Sequence, residues 1–341
     1  MKDYFNTNFA LLKIFNVKII LSNDNIFLDC SVVTVGTFDG VHRGHRAVLE
    51  YCKQLAHKNA CQSVVYTFFP HPRKVLGKGD FKNINSQAEK IYLLDKLGIE
   101  YVFIQEFTKE FAQKTAQQFI EEHLLKQLSL KDLVIGYDHQ FGKDREGSFD
   151  VLQQLASTYH FSLHRIEALQ FDMVTISSTK IRNALESGNL DEANKMLGYP
   201  YIFMAKVVDG LKIGRKLGFP TANLDISESE KIIPMPGVYV VWVDIDGCFY
   251  KGVLNIGYRP TLNIAQKQLS MEVHIIDFND DLYDKIITVF FMKRMRDDIK
   301  FDSLDILKKH IEIDIKQSLQ WFEKHKEWEN IQTNLFDCLV F

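Results

Sequence analysis

CSVVTVGTFDGVHRGHRAVLEYCKQLAHKN, Cys30 to Asn59, holds the unit on which the fold turns. Its first seven residues are short, β-branched and apolar, as in a strand buried on both faces. The stretch HRAVLEYCKQLAHKN then sets Val48, Leu49, Cys52, Leu55 and Ala56 at helical spacing. The same alternation repeats downstream. CQSVVYTFF (Cys61–Phe69) reads as a strand, and Ser86–Gly98 as a helix with a Ser start and a Gly stop. EYVFIQEF is a strand, Thr115–Leu128 a helix, LKDLVIGYD a strand, Val151–Tyr159 a helix and HFSLHRIEAL a last strand. Strand and helix in strict turn predict an α/β fold, a parallel sheet covered on both faces. Such sheets bind ligands beyond the carboxyl ends of their strands.

The pattern changes near Gly198–Pro200. YIFMAKVVDG, GVYVVWVDIDGCFYKGVLNIG, LSMEVHIIDF and KIITVFFMKRM read as strands bounded by Gly, Asp and Asn. Asp246-Gly247 between two apolar runs is a hairpin signal. These strands predict a small antiparallel β-barrel, closed by a helical tail from about Ser303 to Asn330. Two domains are expected, residues 1–198 and 199–341.

Composition narrows the partners. The chain has 341 residues and a net charge of −3, with no long basic run, so no nucleic-acid groove is expected. No eighteen consecutive residues are apolar, which excludes a membrane-spanning helix on sequence grounds. The start, MKDYFNTNFALLKIF, has no small-residue cleavage site, and a cytoplasmic location is expected. Self-association, if any, is expected to be weak. Cys30, Cys52, Cys61, Cys248 and Cys338 are scattered and form no CxxC pair, so free thiols are expected.

The loop after the first strand carries three glycines, Gly36, Gly40 and Gly44, which let backbone approach a ligand or take positive φ. The helix start beside it points free N–H groups outward, a natural seat for an anion. His42 and His45 add donors or positive charge. A plain strand-to-helix turn accounts for the same pattern. A zinc site needs further ligands that do not follow at suggestive spacing, so metal ligation ranks below phosphate binding. The pattern is neither G-x-G-x-x-G nor G-x-x-x-x-G-K-[ST].

Further on, Ser177, Ser178 and Thr179 are N-cap candidates before Ile181, Ala184 and Leu185, with Gly188 as a stop. Arg182 falls in the first turn, where a cation opposes the helix dipole unless an anion sits there. In KIGRKLGFPTANL (Lys212–Leu224), Gly210, Gly214 and Gly218 in and beside the stretch permit close approach. Thr221 and Asn223 offer hard oxygen ligands suited to Mg²⁺ with bound phosphates. A polar connection between strands is the alternative. In QLSMEVHIIDF, Met271, Val273 and Ile275 share one face, and Glu272, His274 and Ile276 the other. Glu272 is either a solvated strand carboxylate or a general base.

GTFDGVHRGH, TFFPHP (Thr67–Pro72), GYDHQFG (Gly136–Gly142) and ISSTKIR (Ile176–Arg182), in this order, resemble the bacterial FAD synthetases of the H-x-G-H nucleotidylyltransferase superfamily. LGFPTANL, PGVYV, NIGYRPT and MEVHIIDF resemble the riboflavin kinase domain that follows FAD synthetase in one bacterial chain. The resemblance covers about Ser31 to the early 320s. It implies a Rossmann-like adenylyltransferase domain and a β-barrel kinase domain. Riboflavin and ATP would give FMN, and FMN with a second ATP would give FAD and pyrophosphate. His42 and His45 would hold the ATP phosphates. Gly36, Phe38, Asp39, Gly44 and Asp138 would line the nucleotide pocket, and Ser178, Thr179 and Arg182 would contact phosphate. In the kinase, Gly214, Arg215 and Lys216 would meet the nucleotide, Thr221 and Asn223 would bind Mg²⁺ and phosphate, Glu272 would act as base, and Arg296 would lie near the flavin. Two departures stand out. His139 replaces a common Phe, and the kinase loop GLKIGRK lacks an upstream Asp and Arg. The alternatives are a chain with one live activity and a regulatory second domain, another H-x-G-H transferase, or a non-catalytic flavin binder.

Overall fold

The computed structural model describes residues 15–24, 26–77, 81–137, 141–143, 146–167, 170–171, 174–210, 213–227, 230–258, 269–331 and 335–336. The chain divides into two compact units. The first runs to Ser177 apart from Ile84–Ser86, which group with the second; the second runs on from Ser178.

The first unit is a parallel sheet with helices. Its elements are β1 (Lys18–Leu21), β2 (Ser31–Val35), α1 (Arg43–Lys58), β3 (Gln62–Phe69), α2 (Pro72–Val75), α3 (Gln87–Lys96) and β4 (Tyr101–Glu106). A helical stretch follows, α4 (Ala116–Phe119), a π-helical segment Ile120–Leu125 and α5 (Lys126–Leu128). Then come β5 (Leu130–Gly136), α6 (Phe149–Tyr159), β6 (Ser162–Ile166) and a small hairpin, β7 (Gln170–Phe171) with β8 (Val174–Thr175). Six strands lie in the order β1-β4-β3-β2-β5-β6, all parallel.

Period-two alternation sends Val33, Val35, Val64, Tyr66, Leu133 and Ile135 to one core, where Phe119, Ile120, Leu124 and Leu152 cover them. Val32 and Val134 face the other way, under Val48, Cys52 and Ala56 of α1. Each such fully buried side chain contributes about 1.5–3 kcal/mol relative to exposure. Thr115 starts the α4 stretch with a capping box, its hydroxyl and the Gln118 side chain exchanging backbone N–H bonds.

The strand order matters for function. From β2 the chain moves outward on one side through β3 and β4, and on the other through β5 and β6. The carboxyl ends of β2 and β5 therefore flank a topological switch point, where open α/β sheets take their ligands. The edge strand β1 and the β7–β8 hairpin were not anticipated from the sequence pattern. Both are too short to show a period.

The cysteine expectation is corrected. Cys30 and Cys61 are joined in a disulfide, their Cα atoms 4.9 Å apart. Ser31 pairs with Gln62 across β2 and β3, so the preceding residues of two strands meet although they lie 31 apart in sequence. Cys52 is free and buried, and burial pushes its thiol up to about 12, which makes it inert. Cys248 is free and exposed, and Cys338 lies outside the described residues.

The second unit begins with α7 (Ser178–Glu186) and α8 (Leu190–Leu197). Its strands are β9 (Tyr201–Val208), β10 (Ala222–Leu224), β11 (Gly237–Ile245), β12 (Cys248–Tyr258), β13 (Leu269–Ile275) and β14 (Ile286–Arg296), with a short helix α9 (Ile213–Leu217) before β10 and α10 (Leu304–Lys324) at the end. The strands close into an antiparallel barrel in the order β10-β13-β12-β11-β14-β9. Closure leaves no open edge. Asp246 and Gly247 both take positive φ at the β11–β12 turn, as a two-residue type I′ hairpin requires. Trp242 packs edge-on against Phe322 of α10, 4.9 Å between ring centres, so β11 is covered outside as well as inside. Asn194 ties α8 to the barrel, donating to Phe291 O at 2.9 Å and accepting from Tyr201 N at 2.8 Å.

Candidate active sites

In the first unit, β2 ends at Val35 and the chain turns through Gly36–Val41 into α1. Phe38, Gly40 and Val41 all take positive φ there. His42 is the N-cap of α1, its Nδ1 accepting from His45 N–H at 3.3 Å. That bond requires an unprotonated Nδ1, so in the neutral ring Nε2 of His42 carries the proton as a donor. A Cβ at Gly44 would stand 3.3 Å from the His42 ring. The missing side chain lets the two imidazoles stack, centroids 3.6 Å apart and 14° from parallel. Phe38 meets the His45 ring edge-on at 5.3 Å.

The electrostatics favour an incoming anion. Burial first, then His42 and Lys90, hold His45 well below the usual histidine range, so it is neutral at pH 7. Burial, then Arg46, lowers Arg43 from its ordinary value. Two arginines and a row of helix N–H groups thus share the positive end of α1. Asp39 is buried. At the end of β3, the Thr67 hydroxyl donates to Thr37 O in the His-bearing loop at 3.3 Å. His71 caps α2 and stacks on Phe81, 4.2 Å between centres. The loop after β5 holds Phe141 against Phe119, 5.1 Å between centres.

The barrel gathers a second set. Asn223 on β10 stands directly opposite Glu272 on β13, and Asn255 on β12 faces Glu272 from the other side. Thr221 Oγ1 donates to Glu272 Oε2 at 3.3 Å. Thr221 leads into β10, so Thr221 and Asn223 project toward the same strand partner. A Cβ at Gly210 would fall 2.0 Å from Asn223 Nδ2, and one at Gly214 2.3 Å from Phe219 O. Gly214 is thus required by close approach of backbone, whereas a side chain at Gly210 would have to displace the Asn223 amide. His274 Nδ1 lies 2.8 Å from Pro220 O, and Phe219 packs edge-on against its ring. As an acceptor, that carbonyl selects the Nδ1–H tautomer.

The two stretches of chain that hold these residues match known families. Residues 26–180 match the family model for FAD synthetase, and residues 197–322 the model for riboflavin kinase. The bifunctional riboflavin kinase/FMN adenylyltransferase of Haemophilus influenzae is 37% identical over 89% of this chain and 97% of that protein. The Bacillus subtilis enzyme of the same name is 36% identical over 86% and 92%.

The chain belongs to the bifunctional riboflavin kinase/FMN adenylyltransferase family.

A crystal structure from Streptococcus pneumoniae, solved under the name macrolide-efflux protein, is 32% identical to this chain. It aligns with a TM-score of 0.79 over 89% of this chain and all of that one. Among the described residues here, no helix is long and apolar enough to cross a membrane.

With that membership, the activities are riboflavin kinase and FMN adenylyltransferase, and the expected residues can be placed. Gly36, Phe38, Asp39 and the N-cap His42 lie in the β2–α1 connection, and Gly44 and His45 in the first turn of α1. Asp138 and His139 lie outside the described residues. Ser178 and Thr179 are the first two residues of α7, and Arg182 is within it, in the second unit. Gly214 and Arg215 lie on α9, with Arg215 exposed; Lys216 lies on the same helix. Arg296 ends β14, and its guanidinium forks onto Asp314 of α10, Nε to Oδ1 at 3.0 Å and Nη2 to Oδ2 at 2.6 Å. Asp314 is buried. Replacing it by Asn leaves that guanidinium without its counter-charge. A loss of about 2 kcal/mol is expected for charged hydrogen bonds of this kind. It should appear as a lower urea midpoint with an unchanged slope.

Lys90, Asn255 and Asp298 were not singled out by the sequence reading. Asp298 is held above the usual carboxylate range by burial, partly offset by the Tyr258 backbone, Arg296 and the Asn255 amide. Only the barrel register brings it beside Asn255. Lys90 did leave a trace in the sequence. It sits four residues before Leu94 on the buried side of α3, an ionisable group where the helix pattern calls for an apolar one.

Proposed function

We propose that the two activities run in series, residues 199–341 making FMN from riboflavin and residues 1–198 joining FMN to AMP. The observation that carries the kinase assignment is the Thr221–Glu272 hydrogen bond with Asn223 opposite. Glu272 Oε2 takes the proton of the riboflavin 5′-hydroxyl as that oxygen bonds to the γ-phosphorus of ATP and ADP departs. Gly214, Arg215 and Lys216 meet the nucleotide, and Arg296 borders the flavin.

Thr221 and Asn223 hold Mg²⁺. Their oxygens are hard donors, and Mg²⁺ with phosphates needs only one or two from the protein. Among the described residues no group of three or more His, Cys, Asp or Glu forms a cage. A hydroxyl and an amide oxygen side by side are a donor set that fits a metal shared with ATP. When bound, the ion supplies charge neutralisation on the transferring phosphoryl group.

In adenylyl transfer the FMN phosphate oxygen attacks the α-phosphorus of ATP, and pyrophosphate leaves. That nucleophile is already anionic, so no base is assigned. His42 Nε2–H, His45 and the α1 N-terminus receive the phosphate charge. Gly36, Phe38, Asp39 and Gly44 border the nucleotide.

Incubation with riboflavin and MgATP, with products separated over time, tests the whole reading. FMN followed by FAD is expected. FMN alone refutes a live adenylyltransferase, and neither product refutes both activities.

A further inference from the structure

Lys90 is a buried cation that the roles above leave unused. It lies on α3 and is only 5% exposed. Its Nζ donates to Thr67 Oγ1 at 3.4 Å, and the Thr67 hydroxyl donates in turn to Thr37 O at 3.3 Å. Thr37 belongs to the loop that ends in the two histidines. A chain of hydrogen bonds therefore runs from α3 through the end of β3 into the phosphate loop. Members of such a chain polarise and orient one another. Asp39, in that same loop, favours the charged form of Lys90, while Lys90 acts against protonation of His45. An ammonium removed from water is unfavourable without compensation. Leu or Met here would pack with Ile91 and Leu94 without that penalty. The compensation that Lys90 finds comes from Thr67 at the strand end and Asp39 in the loop.

We propose that Lys90 is a positioning residue for adenylyl transfer, holding the Gly36–His42 loop in its phosphate-binding form through Thr67 and Asp39. This rests on the reading of the first unit as the adenylyltransferase. The lysine acts through the loop and touches no substrate. Asp39 favours that charge, so the loop should loosen when the charge is lost. Burial pulls Lys90 down to about 8, against the pull of Asp39. The titratable groups facing it are Asp39 from the loop and His45 from α1; β3 contributes Thr67, which does not titrate in this range. Raising the pH through about 8 therefore removes the charge on which Asp39 acts.

The test is a pair of pH profiles, from 6.5 to 9.5, on the full chain. One follows FAD formation from FMN and MgATP; the other follows riboflavin phosphorylation in the same preparation. In wild type, kcat/KM for FAD formation should fall about tenfold per pH unit above about 8. Riboflavin phosphorylation should lack that limb. Lys90→Arg keeps its charge, and the limb should leave the range even where the plateau drops. Lys90→Met should lose about 10- to 100-fold in FAD formation at pH 7.5, with no limb and with kinase turnover retained. A Lys90→Met chain within twofold of wild type overturns the proposal. So does a limb near 8 that persists in Lys90→Arg, or a wild-type profile without one. Where Lys90→Met fails to fold, as judged by its melting curve, the wild-type and Lys90→Arg profiles decide. A wild-type chain that makes FMN but no FAD at any pH overturns the adenylyltransferase reading itself, and the role of Lys90 with it.

Discussion

A His45→Ala chain should make FAD from FMN about 10²–10³-fold more slowly than wild type, the loss typical of one preorganised donor to a developing anion. Its fold and its riboflavin kinase rate should be unchanged. The N-cap bond of α1 runs from the His45 backbone N–H to His42 Nδ1, so removing the His45 side chain leaves that bond intact. His42→Ala differs, because it removes the acceptor as well. It should lose activity and also about 1 kcal/mol of stability through the missing cap. Pyrophosphate release from FMN and MgATP, beside thermal melts of both variants, separates the two effects. Near-normal FAD synthesis by a folded His45→Ala chain would exclude the phosphate role.

The pH behaviour follows from the same geometry. His45 in the folded chain is held well below the usual range by burial, His42 and Lys90. Its unfolded value is the ordinary one, near 6.5. As pH falls below about 6.5, the unfolded chain binds a proton here that the folded chain does not. His45 therefore makes the first unit less stable toward acid. Between pH 6 and 7 it stays neutral and should add no step to the rate of FAD synthesis.

Glu272→Gln should lower riboflavin kinase turnover by about 10²–10⁴-fold, the usual share of a general base. Gln keeps the size of the side chain, and its carbonyl can still accept from Thr221, whose hydroxyl now donates to Glu272 at 3.3 Å. The pairing across β10 and β13 is a backbone feature and survives the change. What is lost is the ability to accept a proton from a neutral alcohol. FAD synthesis from supplied FMN has no such step and should proceed at the wild-type rate. A parallel loss of both activities would instead show that Glu272 supports the fold.

Much of this molecule was legible before any coordinates. Two local periods were enough for both fold classes. In the first unit, apolar strands such as Ser31–Val35 alternate with helices such as Arg43–Lys58. In the second, strands come in hairpins with the Asp246-Gly247 turn between two of them. The main elements formed as expected because their signals lie within one element: capping residues, glycines and side-chain spacing. The strands that escaped, β1, β10 and β7–β8, are two to four residues long, too short to carry a period; the helices α2, α8 and α9 escaped as well.

The sites were legible less evenly. The H-x-G-H pair could be read because its partners are three residues apart on one helix start. Thr221, Asn223 and Glu272 were named singly, but their meeting depends on the pairing of β10 with β13, some fifty residues apart. Cys30 and Cys61 were expected to be free because spacing along the chain says nothing of two parallel strands starting side by side.

The amino-acid sequence by itself determined the two architectures, the anion-seeking start of α1 and the identity of the candidate bases and ligands, since each follows from short-range sterics and side-chain chemistry. Tertiary structure alone decided which of those groups act together. It made His42 the cap of α1, set Arg296 onto Asp314, and buried Lys90 within reach of Thr67 and under the influence of Asp39. Proton affinity and hydrogen-bond partnership depend on burial and on neighbours distant in sequence, and only strand order and helix packing supply those.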